Sequence, residues 1–292
     1  MGHHHHHSHQ NIKTAFFLNL GFTIIELIGG ILTNSVAIIS DAIHDLGDSI
    51  SLGMSWFLQK KSNQGSDEQF TYGYRRFSLL GALINSIILI VGSLFVLSEA
   101  IPRLWDPEVP HAGGMFFLAL LGMAVNGAAV LKLKSGTSMN EKVVSWHLME
   151  DVLGWAAVFV VSIVMFFWEF PILDPLLATL ITLYILYNVI KNVKKTLFIF
   201  LDGVPEEINP TEVEKLIKAI PHVKNTHHTH IWSLDGESHV LTVHVVLEGN
   251  CSLSEAKAVK RKVKQALQRY HFSHMTVEVE FSPDDCSQET LE

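Results

Sequence analysis

Cysteine is almost absent from this chain. Its 292 residues hold only Cys251 and Cys286, which excludes a disulfide framework. Charge is scarce too. Charged residues make up 17% and the net charge is −8, which excludes a nucleic-acid partner, because phosphates require a basic face. HExxH, the common zinc-protease signature, does not occur. No basic region or cleavage site opens the chain, so the first apolar run is expected to act as the targeting element. Instead, residues 1–10 form a head with His3 to His7 and His9, compatible with an expression tag or a native metal-collecting tail. Apolar residues are plentiful, at 48% with a mean hydropathy of +0.28, and they are unevenly spread. Long apolar blocks reach to about residue 200, and an ordinary charged sequence follows.

The blocks predict six spans, each long enough for a hydrocarbon core of about 30 Å. They run from Ile12 to Leu32, Ser35 to Leu58, Phe77 to Ile101, Gly113 to Leu133, Val143 to Phe170 and Leu173 to Val193. Residues 11–201 are therefore expected to form an all-α six-helix transmembrane bundle. Lys60, Lys61, Arg75 and Arg76 follow span two, Lys132, Lys134 and Lys142 follow span four, and Lys191, Lys194 and Lys195 follow span six. The opposite side offers only Arg103, beside Asp106 and Glu108. The positive-inside rule then puts both termini in the cytoplasm of a multi-pass cell-membrane protein. Gly21, Gly29, Gly30, Gly81, Gly92, Gly122, Gly127 and Gly154 suit close helix packing.

Span two carries Ser40-Asp41-Ala42-Ile43-His44-Asp45-Leu46-Gly47-Asp48. At about 100° per residue, Asp41, His44, Asp45 and Asp48 share one arc of roughly 100°. Span five holds an echo, Trp146-His147-Leu148-Met149-Glu150-Asp151, again with His and Asp four apart. Such pairs arise by chance in soluble helices. Within a bilayer each charge costs roughly 2.5–3.5 kcal/mol, so a purely structural span would not keep several. His44, Asp48, His147 and Asp151 make a tetrahedral two-imidazole, two-carboxylate set of the kind zinc takes, with cadmium or cobalt also acceptable. Asp41, Asp45 and Glu26 are accessory candidates, Glu26 being the best of the further intramembrane polar residues, which include Asn19, Asn85 and Asn126.

Residues 202–292 read as a small α+β domain of order αββαβ, an open-faced sandwich of ferredoxin-like type. A helix from Pro210 to Ile220 precedes strands over Val223–Leu234 and Ser238–Glu248, joined at Asp235-Gly236. A helix over Ser252–Tyr270 and a strand over Met275–Phe281 complete it. His227, His230, His244, His271, His274, Glu278 and Glu280 gather on this sandwich as nitrogen and oxygen donors suited to a second zinc site, with Cys286 a weaker addition.

With these motifs the chain resembles the cation diffusion facilitator family, in its bacterial cobalt–zinc–cadmium resistance, zinc-exporting branch. Thr71-Tyr72-Gly73-Tyr74-Arg75-Arg76, Leu201-Asp202-Gly203-Val204-Pro205 and His230-Ile231-Trp232-Ser233-Leu234 are also family-like. The resemblance implies a homodimer with a metallochaperone-like cytoplasmic domain, exporting divalent metal by alternating access in exchange for protons. It implies His44, Asp48, His147 and Asp151 as transport ligands, the first His being typical of zinc-selective members. In the tail it implies His227, His230, His244 and Glu280 as ligands, with His274 displaced by about one residue from a further one. Asp202 with Arg75 or Arg76 resembles the family's charge interlock. The loop after span two offers Asp67 and Glu68 but no His, so the extra metal site of some members is not expected. The short Ser135–Asn140 connection favours a bacterial exporter over eukaryotic members with a long His-rich loop.

Zinc requires neutral imidazoles and ionised carboxylates, so metal and protons exclude one another, and histidine titrates near physiological pH. Protons from outside are expected to displace zinc at His147 or the paired Asp. Two other classes compete. An intramembrane metalloenzyme would use Asp45 or Glu150 as a base, although four protein ligands leave no open position for water. A metal sensor would bind through residues 203–292 without flux.

Overall fold

The apolar runs form long helices in a computed structural model that describes residues 20–62, 64–133, 139–249, 251–282 and 286. The chain divides into two units, one running up to Lys60 and over Gly81–Val193, the other over Lys61–Leu80 and from Lys194 onward. The first unit is built from α1 (described over Leu20–Thr33), α2 (Val36–Ser62), α3 (Phe77–Arg103), α4 (Ala112–Leu133), α5 (Met139–Trp168) and α6 (Leu173–Phe200). Four of the described helices, α3 to α6, are long and apolar enough to cross a membrane. The described part of α1 is shorter, and α2 carries three aspartates in its first half.

This unit is turned inside out relative to a water-soluble protein. Glu26, Asp41, Asp45, Ser49, Asn126 and Thr182 are buried, whereas Ile24, Leu32, Phe117, Phe166, Phe167 and Tyr187 are exposed. Apolar side chains facing outward and polar ones inward suit a hydrocarbon surround. Packing is close where small residues allow it. A Cβ at Gly122 would collide with the Trp155 ring between α4 and α5, and one at Gly92 would collide with Ile43 between α3 and α2. Among the described residues, a Cβ at Gly21 or Gly127 would meet nothing within 4 Å.

Helix α6 runs to Phe200, past the expected end at Val193. Lys191, Lys194 and Lys195 are good helix formers, and nothing breaks the run before Gly203. There Asp202 adopts a left-handed φ of 59°. The Gly203 N–H donates to the Phe198 carbonyl at 2.9 Å and the Asp202 N–H to Ile199 at 3.1 Å. This is a Schellman termination.

The second unit follows the expected order αββαβ. Helix α7 (Pro210–Lys218) starts from Asn209, whose side chain accepts from the Thr211 N–H. Strand β1 (Val223–Ser233) pairs antiparallel with β2 (His239–Leu247), which pairs in parallel with β3 (Phe272–Glu280). The β1–β2 connection is longer than a two-residue turn. Asp235 accepts from the Glu237 and Ser238 N–H groups, and Gly236 takes a φ of 94°. Helix α8 (Leu253–Ala266) opens with a capping box between Ser252 and Glu255, and a 3-10 turn over Gln268–Tyr270 follows. Strand β3 starts at Phe272, earlier than Met275, because its pairing with β2 begins opposite His239. Leu241, Val243, Val245 and Leu247 of β2 join Val213, Ile217, Val259 and Val263 of the helices in one core. The even-numbered side chains of β2 and β3 lie on the opposite face, and His244 and His274 are among them.

Candidate metal sites

In the first unit the site is built on α2. Its first turn is held by Asp174 of α6, which accepts from the Val36 N–H at 2.7 Å and the Ser35 hydroxyl at 2.5 Å. One turn further along, the Ser40 and Thr182 hydroxyls lie 2.9 Å apart. The packing of Gly92 on Ile43 fixes the neighbouring face. On the helix so held, His44 Nε2 lies 3.7 Å from Asp48 Oδ2. Two ligands of a tetrahedral zinc are about 3.3 Å apart, since zinc–nitrogen and zinc–oxygen bonds are about 2.0–2.1 Å. The pair needs little adjustment to share an ion.

Around this pair the carboxylates converge. Asp41 lies within electrostatic reach of Asp45, Asp48 and Asp151, and Asp45 within reach of Asp151, His44, Asp48 and Glu26. Glu26 of α1 is fully buried beside Asp45, Asp41 and Asp151. Gly154, a turn beyond Asp151, faces Asp41, whose Oδ1 lies 3.9 Å from where a Cβ would stand. Helices α1, α2 and α5 thus bring five carboxyl groups together beside an imidazole, with Glu26, Asp41 and Asp45 buried and Asp48 and Asp151 half-buried. So much negative charge in a low-dielectric interior is tolerable only with cations or protons bound. His147 is on α5, but its side chain lies outside the described residues, as do Asn19 and the histidine head.

In the second unit His227 of β1 stands directly opposite His244 of β2. His244 Nδ1 is 2.6 Å from Glu280 Oε1 of β3, and His227 Nε2 is 3.2 Å from Glu280 Oε2. The His227 Nε2 and Glu280 Oε2 atoms are buried without a well-formed hydrogen bond, a gap that a bound ion would fill. Cys286 joins them. One ligand atom from each of His227, His244, Glu280 and Cys286 lies within 4.8 Å of the others. On its far side His244 Nε2 is 3.3 Å from Glu278 Oε2, so a carboxylate orients the ring as in many metal-binding histidines.

Two of the expected tail ligands lie elsewhere. His274 is exposed, pairs in register with Val240, and packs its ring 5.6 Å from Tyr72. Glu280 is six positions further on, about 20 Å along a strand. His230 is exposed one cross-strand pair away, opposite Thr242. His228, not foreseen from the sequence, occupies the bulge between His227 and His230 with φ 46°, its ring steeply inclined to those of His227 and His244 at centroid distances of 5.1 Å from each. An Xaa-His-His-Xaa run in a strand was the available signal. The interlock residues separate as well. Arg76 pairs with Asp202, whereas Arg75 pairs with Ser238 and Asp235.

Comparison with known proteins gives this arrangement its context. The model of the cation efflux transmembrane domain matches residues 12–201, and that of the cation efflux protein cytoplasmic domain matches residues 205–282. The chain belongs to the cation efflux family. It is 34% identical to the metal cation efflux system protein CzcD of Cupriavidus metallidurans, over 97% of this chain and 90% of that protein. It is 30% identical to the cadmium, cobalt and zinc/H(+)-K(+) antiporter of Bacillus subtilis, over 96% of this chain and 92% of that protein. The zinc transporter ZitB of Escherichia coli is 27% identical, over 92% and 86% respectively. As a cation efflux family member the chain is a multi-pass membrane transporter of divalent metal cations, not an enzyme. That disposes of the intramembrane metalloenzyme.

Proposed function

We propose that this protein exports zinc in exchange for protons, through a tetrahedral site of His44, Asp48, His147 and Asp151 between α2 and α5. The observation that carries the reading is the His44–Asp48 pair on α2, 3.7 Å apart, set among the buried carboxyl side chains of Glu26, Asp41 and Asp45. Protons and a divalent ion are alternative ways of neutralising the same groups, so binding one expels the other. Alternation of the site between the two membrane faces then couples their opposite movements. His44 and His147 tune the site toward zinc and tolerate cadmium or cobalt, and the relatives' names include all three metals.

Six membrane spans over residues 11–201 and a cytoplasmic domain over 202–292, paired into a homodimer, complete the proposed architecture. Both termini are cytoplasmic. In support, the loops on the other side offer only Arg103, against the lysines and arginines that follow spans two, four and six. In the tail His227, His244 and Glu280 hold a resident zinc, which supplies a cross-link between the three strands. The test is zinc uptake into proteoliposomes under an imposed pH gradient. Uptake should follow the gradient in direction and size. Uptake indifferent to the gradient would refute the exchange with protons.

A further inference from the structure

We propose that Cys286 is the fourth ligand of the tail site, which makes it a closed two-imidazole, carboxylate and thiolate centre. This rests on reading His227, His244 and Glu280 as a resident metal site, and it adds a ligand from outside the sheet. Cys286 Sγ lies 3.8 Å from His244 Nδ1. With zinc–sulfur bonds of about 2.3 Å and zinc–nitrogen bonds of about 2.0–2.1 Å, the nitrogen–sulfur edge of the tetrahedron is about 3.5 Å. His227 meets Glu280 at 3.2 Å through Oε2 and His244 meets it at 2.6 Å through Oε1, and the four ligand atoms lie within 4.8 Å of one another, so modest side-chain shifts close the shell.

The donor set has consequences. Four protein ligands leave no position for water, which is the form of a structural centre. A thiolate moves the preference toward zinc and cadmium and away from manganese or magnesium. When the sulfur–metal bond forms, the thiol gives its proton to solvent, and nothing is oxidised or reduced. The bond ties position 286 back onto the open face of the sheet. Cys251 stands outside this group. Burial and the nearby Glu255 and Glu248 carboxylates push its thiol up, so it serves as an internal control.

The experiment is cobalt(II) titration of the full-length protein in detergent, with the histidines at positions 3–7 changed to serine. Asp48→Ala and Asp151→Ala are included to silence the transport site. Tetrahedral cobalt absorbs in the visible, and a thiolate ligand adds a charge-transfer band in the near ultraviolet. Both features should appear in this background and survive Cys251→Ser. Cys286→Ser should lose the near-ultraviolet band and keep the visible absorption, and His244→Ala should lose both. Visible absorption that needs His244 but never carries a Cys286-dependent band would overturn the thiolate while leaving the tail site standing. Visible absorption that survives His244→Ala would overturn the tail site and the thiolate with it. Alkylation gives an independent readout, because only the free thiolate reacts. Zinc should slow modification of Cys286 by about tenfold or more and leave Cys251 unchanged, and equal rates at Cys286 with and without zinc would count against the ligand.

Discussion

Replacing Glu278 by glutamine tests how the tail site is held from behind. Glu278 stands opposite His244 in the parallel register of β2 and β3, with Oε2 3.3 Å from the ring Nε2. Its charge favours the tautomer that leaves Nδ1 facing Glu280 and Cys286. Removing such an outer partner typically costs about 10- to 100-fold in metal affinity. The Glu278 side chain is 58% exposed, and water screens its charge, so the loss should lie near the lower end, about tenfold or about 1.4 kcal/mol. Glutamine keeps the volume and a carbonyl acceptor, which isolates the charge. The assay is competition for zinc with a chromogenic chelator, on full-length protein with the head histidines and transport aspartates replaced. Glu280→Gln, run alongside, should lose binding outright. If Glu278→Gln binds zinc as tightly as its parent while Glu280→Gln does not, the ring is held by packing alone and the electrostatic argument is wrong.

Gly92→Leu should force α3 away from Ile43 at the level of the transport site, an overpacking cost of about 1–3 kcal/mol. A lowered melting temperature in detergent and reduced zinc flux would be the result, and an unchanged protein would show that the helix contact is not close. Asp67 accepts from the Tyr74 hydroxyl at 2.6 Å and from the Phe70 and Gln69 N–H groups, which holds its carboxyl below the ordinary 3.8. A lowered carboxyl stabilises the loop above that value and loses the contribution as pH falls through the lowered one. Protection against hydrogen exchange over residues 67–74, taken relative to the intrinsic rate at each pH, should therefore fall in acid, and Tyr74→Phe should flatten that response while lowering protection at neutral pH. Ser252→Ala removes the capping box of α8 and should cost about 1 kcal/mol in the unfolding of the tail; an unchanged transition would show that Glu255 alone secures the helix start.

Much of this was legible because its signals are periodic. Spans α3 to α6 follow from runs of apolar residues too long for anything but a membrane crossing or a large core. The motif on α2 stands out because charge is rare in such runs. In the tail, the alternation over Met275–Phe281 and a serine cap, Ser252 or Ser254, give the order of elements, and the capping box settles on Ser252. What the sequence obscured is distance along strands and the effect of a bulge. His274 and Glu280 look adjacent in a list of histidines, yet a strand carries them about 20 Å apart. Between His227 and His230 the register shifts, and simple alternation cannot say which of the neighbouring histidines meets His244. Cys286 looked marginal because it lies past the last strand, where no periodicity governs its position. Helix α6 outran its expected end because a run of lysines resembles a boundary by charge while remaining excellent helix.

The most direct test of the central claim is zinc flux into proteoliposomes with an imposed pH gradient, comparing the parent chain with Asp48→Ala and Asp151→Ala. These two residues flank Asp41 and Asp45 from α2 and α5, so each variant removes one wall of the same site. Gradient-driven flux is expected in the parent and none in either variant, with zinc binding at the tail site retained. Flux that survives both substitutions would contradict the claim and place the transport path elsewhere in the membrane domain.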